Sequence, residues 1–247
     1  MLVKLIINAD DFGNDENRTN AILEAFKMGF VSQTTVMMNM PGARTAMERA
    51  KSAGVMDRVG LHLNLTEGLP LTIGISKCPL FCNEDGQFNR AFKKGLSHRL
   101  WLDEGVLRLV REEVAAQMET FFSYKPRLFH FDSHHNVHTD WSMAKDIAHL
   151  AADFGFRTVR PAWRRCDAYL WFVYRRFGHA GRFLAGHNVF DGLNKMHEEV
   201  VEWMVHPRYA RDGRLSDGGV LCNGNHTPMG SEFPVGFGRR DVEVVTY

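Results

Sequence analysis

Short apolar runs alternate with segments whose apolar residues recur at helical spacing, and the alternation persists to about residue 205. Residues 2–7 read as a buried strand. Residues 16–28 put Ala21, Ile22, Ala25 and Phe26 on one helical face, with Gly29 to close the helix. Residues 34–38 read as a second strand, 43–53 as a short helix ended by Gly54, and 58–65 as a third strand. A long helix over 103–122 carries Val106, Leu109, Val110, Val114 and Met118 on one face. A strand at 128–131, a helix at 143–154 and a strand at 158–160 stopped by Pro161 follow, with a final strand or helix at 199–205. Strands alternating with amphipathic helices predict an α/β fold around a mainly parallel sheet or barrel. Three stretches interrupt the pattern. Residues 66–98 are rich in Gly and Pro and read as a binding loop or lid; 161–187 are basic and aromatic; 213–247 are irregular, with 213–238 read as loop.

A chain of 247 residues fits a single domain with one large core. Thirty Lys and Arg against 29 Asp and Glu leave a net charge of +1, which lacks the basic footprint of a nucleic-acid binder. No run approaches the ~20 apolar residues of a membrane span, and the first strand is too short for a signal peptide core. With only four cysteines, a reduced cytoplasmic setting is expected. Cys78 and Cys82 lack a second pair at matching spacing, so they read as loop or core cysteines rather than a zinc site. Twelve histidines are the one unusual count, and their positions carry the chemistry.

Polar clusters stand at the ends of the strand-like runs: Asn8, Asp10 and Asp11; His62 and Asn64; Asp132, Ser133, His134, His135 and His138; and His206. In a parallel barrel those ends converge on one face. Adjacent carboxylates on an extended backbone point apart, so Asp10 and Asp11 are expected to take different roles. A simpler use is open to them, Asp10 opening a turn and Asp11 capping the next helix. His62 and Asn64 share one face of their strand and the flanking leucines the other. Asp11, His62 and His134 together make a ligand set that suits one catalytic divalent ion with open coordination positions. Asp10 is then the expected general base and His206 the acid that protonates a departing amine. His135 and His138 are expected to line the same mouth.

The segments NADDFG, GFVSQTTVMMN, VGLHLNLTEGLPLT, HFDSHHNVH and EWMVHP, in that order, resemble the YdjC family of carbohydrate deacetylases, which includes chitooligosaccharide deacetylases. The resemblance covers residues 2–209. It implies a distorted (β/α) barrel, similar to a TIM barrel, that removes an acetyl group from an N-acetylated sugar, oligosaccharide or sugar-linked lipid. By motif position it makes Asp11, His62 and His134 metal ligands, Asp10 the catalytic aspartate and His206 an active-site histidine. Arg160 matches an arginine-proline step that orients Asp10 or the substrate, and Asn64, His135 and His138 are carried as substrate contacts. Asn136 stands where the family has a third consecutive histidine, 163–187 is a divergent basic and aromatic stretch, and after Tyr209 only Arg240, Asp241 and Glu243 resemble the family end.

The expected cofactor is one divalent metal ion, magnesium or zinc. Imidazole and carboxylate ligands together suit Zn, Mn or Co, while Mg keeps more waters. The expected partner is an N-acetylated carbohydrate, with no nucleic acid, no transmembrane segment, and a homodimer as an option through the basic, aromatic stretch. Two other readings stay open. One is a phosphoesterase using a second metal, for which His135 and His138 are the spare ligands. The other is a catalytically degenerate sugar- or lipid-binding relative.

Overall fold

The computed structural model describes residues 3–162, 167–185, 200–222, 225–229 and 242–247. In chain order the first half comprises β1 (Val3–Phe12), α1 (Glu16–Lys27), β2 (Gln33–Val36), α2 (Ala43–Ser52), β3 (Val59–Leu63), α3 (Ile73–Ser76), α4 (Ala91–Lys94), α5 (Leu96–Leu100) and α6 (Glu104–Ser123). The second half comprises β4 (His130–Ser133), α7 (Trp141–Asp153), β5 (Thr158–Val159), α8 (Ala168–Tyr174), β6 (Arg182–Ala185), β7 (Val200–Val205), β8 (Pro207–Tyr209), β9 (Leu215–Cys222), β10 (Asn225–Pro228) and β11 (Val242–Val244). A parallel sheet runs in the order β5-β4-β3-β2-β1-β7-β6 and curls into a half-barrel with helices packed outside it. The α/β barrel architecture expected from the sequence is the one observed.

Alternation along each strand divides the molecule into two chemically distinct regions. Leu5, Ile7 and Ala9 of β1, Leu61 and Leu63 of β3, Phe131 of β4, and Val201, Trp203 and Val205 of β7 all join the apolar core. Many of the intervening residues are polar and also buried: Asn8 and Asp10, His62, His130 and Asp132, and Glu202. A sheet flat enough to wet one face would expose them. Curling turns that face inward, so each polar group must find a partner within the protein.

Helix boundaries follow local chemistry. Asp15, rather than Asp11, caps α1, accepting from the Arg18 amide at 2.7 Å, and Asp103 caps α6 in the same way through the Val106 amide at 3.0 Å. The 66–98 stretch is mostly loop, interrupted by the one-turn helices α3, α4 and most of α5. Buried Glu113 of α6 holds it by accepting from the Leu71 amide and from the amide and hydroxyl of Thr72. In the 161–187 stretch, Asp167 caps α8, which buries Leu170 and Tyr174 and exposes Trp171 and Phe172; Arg164, Arg165 and residues 186–187 lie outside the described residues.

The expectation for 213–247 is corrected. β9 and β10 fall within the glycine-rich stretch read as loop, and β9 pairs antiparallel with β8 on one side and β10 on the other in a three-stranded sheet. β11 joins the main sheet, pairing in parallel with Val3–Leu5 of β1. Cross-strand pairing supplies what side-chain periodicity did not. Arg240 and Asp241 lie outside the described residues, and Glu243 is on β11. Among the described residues, no helix is long and apolar enough to cross a membrane.

Candidate active site

The site begins where β1 departs from regular geometry. Ala9 pairs with Thr34 and Phe12 with Val36, so three steps on β1 match two on β2, a bulge that leaves Asp10 and Asp11 between them. Asp11 has φ 68°, in the left-handed region that Asp tolerates better than most residues. This reverses the expectation that adjacent carboxylates point apart. The bulge brings both into one pocket, with His62 Nε2 lying 3.3 Å from Asp11 Oδ1 and 4.0 Å from Asp10 Oδ2. The turn that follows requires glycine: Gly13 has φ 83°, and a Cβ there would lie 2.9 Å from the Ala43 Cα.

His62 comes from β3 and His134 from a 3-10 turn directly after β4. His134 Nδ1 is 2.9 Å from Asp11 Oδ1 and 3.4 Å from His62 Nε2. Asp132 accepts from His62 Nδ1 at 2.6 Å, which fixes the ring and directs Nε2 at Asp11. The turn holds His134 in place through two consecutive left-handed residues, His135 and Asn136, both with φ 53°. Asparagine adopts that conformation readily, a local reason for Asn136 in the histidine run.

These residues fit a divalent cation. Asp11 Oδ1 is buried and, despite its short distances to both rings, receives no well-directed hydrogen bond. The three donor atoms are 2.9, 3.3 and 3.4 Å apart, close to the edges of a coordination shell with bonds of about 2.1 Å. The electrostatics make the same demand. Burial pushes the His62 pKa down, but Asp132, Asp10 and Asp11 outweigh it and raise it to about 10. Burial lowers His134 too, and Asp11 and Glu67 raise it overall. The pocket therefore favours a positive charge, as protons or as a metal ion.

Asp10 is held differently from Asp11. Arg160, fully buried, grips both its oxygens at 2.6 and 2.7 Å and also reaches Asp132 Oδ2 at 2.5 Å and Glu202 Oε1 at 2.6 Å. Burial alone would raise the Asp10 pKa; Arg160, His62 and His206 together hold it at about 2. Asp10 is thus ionised, fixed in direction and beside Asp11.

His206 follows β7 and is half-buried, near enough for its charge to act on Asp10. Its backbone is clasped by β9: Asp217 Oδ1 accepts from the His206 amide at 2.9 Å, and the Gly218 amide donates to the His206 carbonyl at 2.8 Å. The C-terminal sheet therefore sets the position of a candidate site residue.

Not every expected substrate contact faces open space. Asn64 is fully buried, its oxygen accepting from the Thr66 and Glu67 amides and its nitrogen donating to Asn39 and the Glu67 carbonyl, so it shapes the turn after β3. His138 is also buried, set between the Ser133 hydroxyl and the Arg160 carbonyl. Arg160 orients Asp10 and has no exposure of its own. His135 is exposed at the rim, 2.9 Å from the Thr66 hydroxyl. Glu67, which sequence reading passed over, sits beside it, 3.4 Å from His134 Nε2 and paired with Arg90. An open cavity of about 400 Å³, lined by Met40, Thr66, Glu67, Phe88, Asn89 and Arg90, continues from this rim. Sequence reading places Asp132 in a strand-end polar cluster without a role of its own and passes over Glu202; their register opposite His62 and Ile6 turns both inward.

Residues 4–228 match the YdjC-like protein family, a span that continues past Tyr209, where the motif likeness had faded. The chain is similar to a carbohydrate deacetylase of Geobacillus stearothermophilus, 37% identical over 88% of this chain and 84% of that protein. It is also similar to a carbohydrate deacetylase of Halalkalibacterium halodurans, 30% identical over 84% of this chain and 86% of that one. Among solved structures it resembles a protein of Enterococcus faecalis V583 proposed to cleave cellobiose phosphate, with a TM-score of 0.77 and 25% identity over 100% of this chain and 98% of that one. With its motifs, its curled sheet and this family match in agreement, the chain belongs to the YdjC-like protein family.

Proposed function

We propose that this protein is a metal-dependent carbohydrate deacetylase, a hydrolase that cleaves the C–N amide bond of an N-acetylated sugar. The observation that carries the reading is the convergence of Asp11, His62 and His134 on one point beside the clamped Asp10. Curated relatives named carbohydrate deacetylases support the substrate class.

Asp11, His62 and His134 would hold one divalent ion. Bound there, the ion supplies Lewis-acid chemistry, polarising the acetyl carbonyl and acidifying water. The remaining work belongs to the chain. Asp10, ionised and held by Arg160 on both oxygens, orients the attacking water and takes its proton. Asp132 keeps His62 in the tautomer that presents Nε2 to Asp11. His206 protonates the departing nitrogen, so that acetate and the free amino sugar separate. Thr66, Glu67 and His135 form the rim over which the sugar enters.

The phosphoesterase alternative loses one of the two spare ligands a second ion required, because His138 is turned into the core. The substitutions Asp10→Asn and Asp11→Asn test the division of roles. Asp10→Asn is expected to bind a divalent ion normally with most turnover lost, whereas Asp11→Asn loses the ion itself. Equal metal affinity in both variants would overturn the assignment.

A further inference from the structure

Two separate arms hold Asp10, and both lead to the same residue. Along the first, Arg160 donates to both oxygens of Asp10 and, through Nε, to Glu202 Oε1; the other oxygen of Glu202 accepts from the Tyr247 hydroxyl at 2.6 Å. Along the second, Asn8 Nδ2 donates to Asp10 Oδ1 at 2.7 Å, Gln33 Nε2 donates to Asn8 Oδ1 at 3.0 Å, and the Tyr247 amide donates to Gln33 Oε1 at 3.1 Å. The hydrogen bonds form a closed circuit through Asp10, Arg160, Glu202, Tyr247, Gln33 and Asn8.

We infer that Tyr247 is a positioning residue for the reaction: it locks the circuit that fixes the direction of the Asp10 carboxylate. The inference rests on the deacetylase reading for the role of Asp10, but the circuit itself does not. Tyr247 is well placed for the task. Its ring stacks on His130 at 4.2 Å between centroids, its hydroxyl accepts from the Ala180 amide at 3.2 Å, and Val245 two residues before it donates to the Leu5 carbonyl at 2.9 Å. β11 delivers the residue by pairing with the opening residues of β1, the strand that carries Asn8 and Asp10. Glu202 depends on Tyr247 directly. Without the hydroxyl, one oxygen of a fully buried carboxylate loses its partner, and the Glu202 side chain is free to turn and release Arg160 Nε. Tyr247, Glu202 and Gln33 are not among the candidate ligands, and the circuit meets His62 only through Asp10, 4.0 Å from its Nε2, and through Asp132, whose own hold on His62 Nδ1 the Tyr247 hydroxyl does not supply, so metal affinity is expected to change little.

Tyr247→Phe removes the hydroxyl and keeps the ring and the amide. Five quantities are compared with wild type: kcat and KM for acetate release from N-acetylated chitooligosaccharides, zinc affinity by calorimetry, Tm, and the Asp10 position in crystal structures of both proteins. The expected result is a kcat lower by between about 10-fold and 100-fold with KM and zinc affinity unchanged, and an Asp10 carboxylate that has lost one Arg160 contact. A wild-type kcat, or losses of kcat, KM and zinc affinity together, would overturn the inference, as would an Asp10 that has not moved. If the wild type releases no acetate yet Asp10 shifts in the variant, the circuit stands and the deacetylase reading fails.

Discussion

Replacing Arg160 by lysine probes the clamp on Asp10 while keeping the charge. Arg160 makes four contacts of 2.5 to 2.7 Å to three carboxylates, on Asp10, Asp132 and Glu202, from a guanidinium with no solvent exposure. A lysine ammonium is a point donor and cannot span both Asp10 oxygens while also reaching Glu202 on the opposite side. At least two charge-assisted hydrogen bonds are lost, worth roughly 1.5–3 kcal/mol each. The total, roughly 3–6 kcal/mol, is a large share of the ~5–15 kcal/mol that holds such domains folded. At about 2–4 °C per kcal/mol for a chain of this size, Tm should fall by on the order of 10 °C, with folding retained. An Asp10 carboxylate set adrift by about 1 Å should cost on the order of 100-fold in kcat. The assay is steady-state acetate release from an N-acetylated oligosaccharide, alongside calorimetric zinc titration and thermal unfolding. Zinc affinity should stay within a few-fold of wild type, because Arg160 touches none of the three candidate ligands. A variant with lowered Tm and a kcat within threefold of wild type would refute the reasoning, since the clamp would then serve stability alone.

Three further outcomes follow from the same geometry. Asp132→Asn, which weakens the grip on His62 Nδ1, should lower divalent-metal affinity by about 10- to 100-fold, read by calorimetry. Metal-free protein should be most stable near pH 6.5. His62, raised to about 10, keeps a proton that the unfolded chain gives up, so its contribution is complete below pH 6.5 and lost as pH climbs toward 10. His138, pushed by burial to about 3, stays neutral where the unfolded chain protonates, so stability also falls as pH drops from 6.5 toward 3, by about 1.4 kcal/mol per pH unit. Denaturant midpoints across pH check both limbs; a midpoint flat from pH 5 to 9 contradicts them. Gly42→Ala should cost about 1–3 kcal/mol in urea unfolding, because its Cβ would stand 2.6 Å from the Gly13 carbonyl oxygen where the turn after Asp11 meets α2. A neutral effect would mean that this turn yields more easily than its contacts suggest.

The main strands and helices through β5 were legible because period-two and helical apolar patterns report which face is buried, whereas α8 and β6 fall in the 161–187 stretch, where the pattern predicts no element, and at β7 it allows a strand or a helix. Positions made by tertiary contact were not. The bulge at Asp11 has no pattern of its own, and an extended reading of the strand sends the two aspartates apart. Asn64 and His138 carry the right chemistry for substrate contacts, yet their partners, Glu67 with Asn39 and Ser133 with Arg160, are fixed only once the loops fold. β9, β10 and β11 lack apolar periodicity, because pairing with neighbours rather than burial of one face defines them. Asp132 stood within the histidine-rich run, but its grip on His62 depends on the parallel register of β3 and β4. Glu67 and Glu202 looked like ordinary charges; burial and register make them part of the site.

The central claim is that this pocket hydrolyses an acetamide on a sugar with the help of a divalent ion. Its most direct test follows acetate and free amine together on N-acetylglucosamine and its short oligomers, before chelation, after chelation, and after zinc, manganese, cobalt or magnesium is returned. Equal amounts of acetate and amine are expected, abolished by the chelator, restored by at least one ion, and mostly lost in Asp10→Asn. Acetate release that continues undiminished in the chelated protein, or none with any ion on any of these sugars, would contradict the claim.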